Sequence, residues 1–169
     1  MNFIYNDGGR AAAGYKGHTG DCVTRAVAIA SGRPYQEIYE ALAMGNVSQR
    51  RTRKSKTRKA EGQKTAAKGI SVRRKWFKDY MRSLGFRWVP CMGIGTGCTV
   101  HLSGDNSELP NGRLIVAVSK HYTAVIDRVI NDTYNPQRDT HVTEYRNGED
   151  VHSIQRRCVY GYWILNPIS

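Results

Sequence analysis

Three residues of the 169-residue sequence are of the types that nucleophilic catalysis needs, and they occur in an informative order. Cys22 stands at the predicted start of a helix, His121 precedes a predicted strand, and Asp132 lies on the strand that follows. At a helix start, unpaired backbone N–H groups and the positive end of the helix dipole favour a thiolate over a thiol. A base that takes and returns the thiol proton, and a carboxylate that fixes its imidazole, would complete a Cys-His-Asp site.

Each of these residues has a plainer interpretation when it is taken alone. A single helical cysteine is commonly a small buried hydrophobe, and a histidine or aspartate in a connection is commonly a turn residue. Asp127 and Asn135 also compete with Asp132, because a shift of one residue in strand register would turn a different side chain toward His121. The order of the three residues, with the cysteine in the first turn of its helix, favours a catalytic site.

The elements that must position these side chains follow from apolar periodicity. In the first half of the chain, apolar residues at i, i+3, i+4 and i+7 predict three helices. The first is predicted to start after an Asp21 N-cap and to end at Gly32. The second starts at Pro34 and ends at Gly45-Asn46, and the third starts after a Ser71 N-cap and ends at Gly85.

Beyond Gly85 the pattern changes to alternating and β-branched runs, which predict strands at 86–89, 114–118, 122–126, 129–134 and 159–165. Helices first and strands after, with hairpin-length connections, predict one α+β domain over residues 1–169 with a mainly antiparallel sheet. The turn at Asp127-Arg128 lacks the glycine that a two-residue turn favours in second place, so a wider loop is an alternative there.

Three stretches carry a resemblance to a known fold. They are Gly20-Asp21-Cys22-Val23-Thr24-Arg25-Ala26, then Gly112 to Val116 leading to Ser119-Lys120-His121, and Ala124 to Asp127 leading to Asn131-Asp132-Thr133-Tyr134. Together they resemble the papain-like cysteine peptidases, and more closely the compact, mostly uncharacterised proteins of that fold found in bacteria and their phages. The resemblance covers most of the chain except 47–68. It implies N-terminal helices that carry Cys22, packed on a sheet that carries His121 and Asp132.

The function implied by the resemblance is a thiol hydrolase that cleaves a peptide or isopeptide bond through an acyl-enzyme. An acyltransferase would use the same site, and a non-catalytic module of the same fold is the alternative from another class. In this fold a polar side chain before the cysteine, often glutamine, helps form the oxyanion hole. Here His18 and Thr19 are the candidates for that role, beside the backbone N–H of Cys22. No cofactor is expected.

The remaining cysteines do not form a regular framework. A disulfide scaffold is not expected in a chain of this size, and a reducing compartment would keep all four cysteines as thiols. Cys91, Cys98 and His101, with Cys158 as a fourth ligand, form an alternative metal site, but their spacing is not a usual zinc pattern, so no metal is expected. The sequence contains no apolar run of about 20 residues and no leader pattern, which predicts a cytoplasmic protein, in the bacterial host if it is phage-encoded.

The net charge of +12 is concentrated in one segment. Residues 50–82 contain 14 basic and two acidic side chains, and the rest of the chain is neutral, which excludes a uniformly basic nucleic-acid-coating protein. Residues 47–68 are predicted to be a flexible basic insertion, and 50–82 to be either solvated surface or a binding site for nucleic acid or an acidic partner. The anion-binding candidates are Arg50, Arg51, Arg53, Lys54, Lys56, Arg58 and Lys59.

Overall fold

The structure, a computed structural model, describes residues 1–17, 19–48, 65–67, 70–103 and 108–166. Within these ranges the chain forms an α+β fold with three helices and nine strands. The helices are α1 (Cys22–Ser31), α2 (Tyr35–Ser48) and α3 (Lys75–Ser83). The strands are β1 (Asn2–Tyr5), β2 (Phe86–Pro90), β3 (His101–Leu102), β4 (Arg113–Val118), β5 (His121–Ile126), β6 (Val129–Asp132), β7 (Thr140–Arg146), β8 (Glu149–Gln155) and β9 (Arg157–Leu165). None of these helices is long and apolar enough to cross a membrane.

The main sheet is mixed, in the order β1-β6-β5-β4-β9-β2, with the short β3 paired to β9. All its pairs are antiparallel except β1 with β6, so the sheet is mainly antiparallel, as predicted, with one parallel pair at an edge. The hairpin of β7 and β8 forms a separate two-stranded sheet. β1 and this hairpin were not predicted, because β1 is short and β8 is exposed along its whole length.

Both faces of the sheet are buried, and the alternation of side chains along the central strands supplies apolar residues to each face. Ile115, Ala124 and Trp163 pack with the three helices on one face. Leu114, Val116, Val125 and Ile130 face a second core that is completed by Phe3, Leu102 and Leu109. The helical layer therefore lies on one side of a sheet that is buried on both sides.

α1 has the bounds that its sequence predicts. It begins at Cys22, and Gly32 ends it in the left-handed conformation with φ 71°, donating its backbone N–H to the carbonyl of Ala28. Asp21 occupies the N-cap position, but its side chain makes no capping hydrogen bond. The Asp21 carboxylate turns instead into the buried network described below.

α2 continues through Gly45 and Asn46, so the prediction that these residues end it is wrong. A side chain at Gly45 would place its Cβ 2.3 Å from the Trp76 ring, which explains a glycine inside the helix as a site of close packing against α3. Asn46 is buried and donates its side-chain amide to the carbonyl of Thr65 at 3.3 Å. Both residues are therefore explained by tertiary contacts.

Replacing Gly45 with alanine is expected to destabilise the protein by about 1–2 kcal/mol, although alanine is the better helix former. The gain in helix propensity is about 1 kcal/mol, whereas forcing a methyl group into the rigid Trp76 ring costs about 2–3 kcal/mol, the upper part of the usual range for overpacking. Urea denaturation measures the change in the free energy of unfolding. Gly93→Ala is the control, since a Cβ there would have no neighbour within 3.4 Å. A Gly45→Ala variant as stable as the parent would contradict the close packing.

The predicted flexible insertion is anchored at both ends in the described residues. Val47 and Ser48 belong to α2, and Ala66 is fully buried. The carbonyl oxygen of Ala66 accepts a hydrogen bond from the Thr24 hydroxyl of α1 at 2.9 Å. Residues 49–64 and 68 lie outside the described residues. α3 starts at Lys75, four residues after the predicted Ser71 cap, because residues 71–74 form a turn that leads into it.

Two of the cysteines form a disulfide, which corrects the prediction that all four are thiols. Cys98 and Cys158 are bonded, and their Cα atoms lie 5.8 Å apart. The pairing of β3 with β9 sets His101 opposite Cys158 and thereby brings the two half-cystines together, a contact over 60 residues of sequence that spacing does not reveal. Cysteine usage therefore no longer argues for a reducing compartment. Cys22 and Cys91 are free thiols.

Candidate active site

Cys22 is the first residue of α1, and α1 packs against β5, the strand that begins with His121. The Cys22 side chain is half-buried at one end of the sheet. The backbone N–H groups of the first helical turn have no intrahelical acceptor. The thiol therefore lies beside donors that can stabilise negative charge, either on its own sulfur or on an oxyanion formed next to it.

His121 is held by a tight turn between β4 and β5. The register pairs Val118 with His121, so the connection is the two residues Ser119 and Lys120, and Lys120 has φ 55°. The imidazole is buried and is placed by strand pairing on one side and by α1 on the other. The sequence predicts His121 in the connection just before a strand at 122–126, and the structure makes it the first residue of β5.

Asp132 is the carboxylate that the observed register brings to His121. β5 and β6 pair Val125 with Ile130 across the two-residue turn Asp127-Arg128, in which both residues have positive φ. The alternation of side chains along the two strands then directs His121 and Asp132 to the same side of the sheet. The Nε2–H of His121 donates to Oδ2 of Asp132 at 2.7 Å, which leaves Nδ1 for Cys22.

The competing residues have other partners. The Asp127 carboxylate accepts the backbone N–H of Gly112 at 2.9 Å, and the Asn135 side-chain oxygen accepts that of Gln137 at 3.1 Å. The wider loop considered for the hairpin is not formed, because Asp127 and Arg128 both adopt the left-handed conformation that a two-residue turn requires.

The three groups influence one another's protonation in the direction that a nucleophilic site requires. Burial would raise the pKa of the Cys22 thiol, but hydrogen bonds from the His121 side chain and the Tyr122 backbone, together with the charges of His121 and Arg25, bring it below its ordinary value. Burial would lower the pKa of His121, and its contacts with Asp132 and Cys22 raise it. Burial is likewise outweighed at Asp132, whose pKa is lowered chiefly by His121. The charges favour a thiolate–imidazolium pair.

A buried network of opposite charges lies behind Asp132. Arg25, on the first turns of α1, contacts the Asp21 carboxylate and lies 3.4 Å from Oδ1 of Asp132. Asp21, only 1% exposed, also pairs with Arg10 at 3.0 Å and accepts the Tyr35 hydroxyl at 2.6 Å. The burial of Arg25 is not predicted from the sequence, because an arginine in an amphipathic helix is expected on the solvent-facing side. Only the apolar residues of α1 indicate which face is buried.

Two further residues shape the surroundings of His121. The ring of Tyr134 lies 5.0 Å from the imidazole and covers one side of it. Arg157, which is buried, donates to the carbonyl of Ser119 at 2.6 Å and to that of Pro136 at 2.7 Å. Arg157 thereby ties the turn before His121 to the segment after β6. Neither residue carries a sequence signal that separates it from ordinary strand residues.

A cleft of about 1150 Å³ opens onto Cys22 and His121. Trp88 and Trp163 form part of its wall, with ring centroids 5.3 Å apart. The glycine-rich loop at 93–95 lines another side of it. The site is therefore accessible to a ligand much larger than water.

Comparison of the chain with models of protein families, with curated proteins and with solved structures finds no match. The functional interpretation therefore depends on the geometry of these side chains and on their chemistry.

The remaining oxyanion candidates are placed differently. The Thr19 hydroxyl donates to the carbonyl of Ala67 at 2.8 Å and so faces the chain after α2. His18 lies outside the described residues. Of the three candidates, the Cys22 backbone N–H is the one that the described geometry puts beside the thiol. The anion-binding candidates Arg50, Arg51, Arg53, Lys54, Lys56, Arg58 and Lys59 also lie outside the described residues.

The alternative metal site is not assembled in the described part of the chain. Among those residues, no group of three or more histidine, cysteine, aspartate or glutamate side chains is arranged to hold a metal ion. Cys98 and Cys158 are bonded to each other, and the His101 ring lies 3.3 Å from the Glu108 carboxylate. Two of the four proposed ligands are therefore consumed by the disulfide.

Proposed function

We propose that this protein is a thiol hydrolase of papain-like architecture that cleaves a peptide or isopeptide bond. The observation that carries the proposal is a single buried imidazole placed between a thiol and a carboxylate that come from a helix start and a neighbouring strand. The order Cys22, His121, Asp132 along the chain, and a helical part that packs on a mainly antiparallel sheet, also support it.

Acylation begins with the Cys22 thiolate, which attacks the carbonyl carbon of the substrate and forms a C–S bond. The electron pair of the carbonyl moves to its oxygen, where the Cys22 backbone N–H stabilises the negative charge. As this intermediate collapses, the C–N bond breaks and His121, an imidazolium, gives its proton to the departing amine. The product is a thioester on Cys22, with a neutral imidazole held by Asp132.

Deacylation reverses the roles of these groups. His121 removes a proton from a water molecule, whose oxygen attacks the thioester carbon. The C–S bond then breaks, the carboxylic acid leaves, and the thiolate–imidazolium pair is restored. An amine in place of water would yield a new amide, so acyl transfer is the second reaction open to the same site.

The pH dependence of Cys22 alkylation tests the nucleophile. Its pKa is lowered, so the rate with iodoacetamide is expected to reach its plateau at a lower pH than an ordinary thiol requires. Cys91 is the internal reference, because burial raises the pKa of its thiol. Mass spectrometry of the folded protein between pH 5 and pH 9 follows both sites. If Cys22 reacts no faster than Cys91 below neutral pH, the proposal is wrong.

A further inference from the structure

We infer that the candidate active-site cleft accepts an acidic stretch of polypeptide, and this inference rests on the proposed function. Among the described residues that line the cleft, four are cationic and none is an aspartate or a glutamate. The four are Arg73, Lys78, Arg82 and Lys120. A cleft lined by charges of one sign and bounded by apolar walls concentrates ligands of the opposite sign.

The four cations line the same cleft as Cys22 and His121. Lys78 and Arg82 lie one turn apart on α3 and therefore point the same way, while Lys120 directly precedes His121. Arg73 lies in the turn before α3, and its charge influences the protonation of Tyr122. Burial raises the pKa of that phenol to about 12, and the charge of Arg73 opposes the rise. Two of the four cations, Arg73 and Lys120, are therefore close to cleft residues beside Cys22.

Three of these cations are available to a ligand in the described structure. Arg82 is paired with Asp79 at 3.1 Å. No described carboxylate lies within ion-pair distance of Arg73, Lys78 or Lys120, and all three side chains are exposed. Carboxylates of a bound ligand can therefore approach them without breaking an existing pair.

The character of the cleft favours a polypeptide over a nucleic acid. Trp163 is buried, and its ring packs against the half-buried Trp88, so Trp163 offers no free platform on which a base could stack. The walls contributed by Val23 and Ile70 suit the aliphatic parts of peptide side chains. The Cys22 thiolate, which lines the cleft, reacts with carbonyl carbons. Glutamate and aspartate side chains near a scissile peptide bond satisfy the charge and the chemistry together.

A pair of small alkylating reagents tests the charge of the cleft. Iodoacetate is anionic and iodoacetamide is neutral, and both react with the thiolate, so the ratio of their rates at one cysteine does not depend on its pKa. Replacing both Arg73 and Lys78 with glutamine is expected to lower this ratio at Cys22 by roughly five- to tenfold at low salt. Lys75→Gln is the matched control on α3, outside the cleft, and should leave the ratio unchanged. An unaltered ratio in the double variant overturns the inference.

Protection of Cys22 from iodoacetamide identifies the class of ligand. A glutamate decapeptide at low salt should slow the reaction, a glutamine decapeptide of equal length should not, and added salt should abolish the effect. A single-stranded oligonucleotide that protects Cys22 better than the glutamate decapeptide would overturn the inference in favour of nucleic acid, and equal protection by the two decapeptides would also overturn it. Failure of the proposed function is distinguishable, because Cys22 would then show no enhanced reactivity with iodoacetamide alone.

Discussion

Replacing His121 with alanine is expected to slow the alkylation of Cys22 at pH 6 by at least about tenfold. Burial raises the pKa of the Cys22 thiol, and the largest opposing influence is the hydrogen bond from His121. Without it, the pKa of Cys22 should rise, because burial is then opposed only by the Tyr122 backbone hydrogen bond and the charge of Arg25. A rise of one pKa unit reduces the thiolate fraction tenfold well below the pKa. Because His121 is also the general base, turnover of any substrate should fall by roughly 10²- to 10⁴-fold.

The variant Asp132→Asn separates the role of the carboxylate from that of the imidazole. Asparagine keeps the shape but removes the negative charge that raises the pKa of His121, so the imidazolium should lose its proton at a lower pH. The alkaline limb of the pH–rate profile for turnover is then expected to shift to lower pH, which narrows the active range. Cys22 should still react as a thiolate. Peptide hydrolysis followed against pH measures this. Equal pH profiles for the parent and Asp132→Asn would contradict the role given to Asp132.

The sequence predicts those parts of the site whose positions depend on residues close to them in the chain. Cys22 opens its helix because an apolar period of 3.6 residues begins there and Gly32 ends it in the left-handed conformation. His121 and Asp132 meet because consecutive strands joined by two-residue turns pair in one register. These features depend on a few neighbouring residues, so composition and spacing are sufficient to predict them.

The parts that the sequence does not predict depend on contacts between distant segments. The parallel pairing of β1 with β6 joins the first residues to the strand that ends at Asp132, across more than 120 residues. The Cys98–Cys158 disulfide depends on the pairing of β3 with β9. Gly45 resembled a helix end because its role, close packing on Trp76, comes from another helix. Local pattern carries no information about any of these partners.

Replacing Arg25 with methionine is expected to reduce the free energy of unfolding by about 3 kcal/mol. Arg25 is 7% exposed and lies between the carboxylates of Asp21 and Asp132, which are themselves buried. Methionine fills a similar volume but carries no positive charge. The two carboxylates then remain in the protein interior, where water does not solvate them, with fewer cationic partners. Breaking a buried ion pair by removing one partner typically costs about 3–5 kcal/mol. Part of that cost is offset here, because Arg10 and Tyr35 still contact Asp21.

Arg33→Met is the matched control, because Arg33, just after α1, forms an exposed arginine–carboxylate pair with Glu37 four residues away. Both side chains of that pair are about half exposed, so its loss should cost less than about 1 kcal/mol. Urea denaturation of the two variants compares like substitutions in buried and exposed settings. Equal destabilisation would contradict the buried network. Since the charge of Arg25 also lowers the pKa of Cys22, the methionine variant should in addition need a higher pH for alkylation at Cys22, which a purely structural role for Arg25 would not produce.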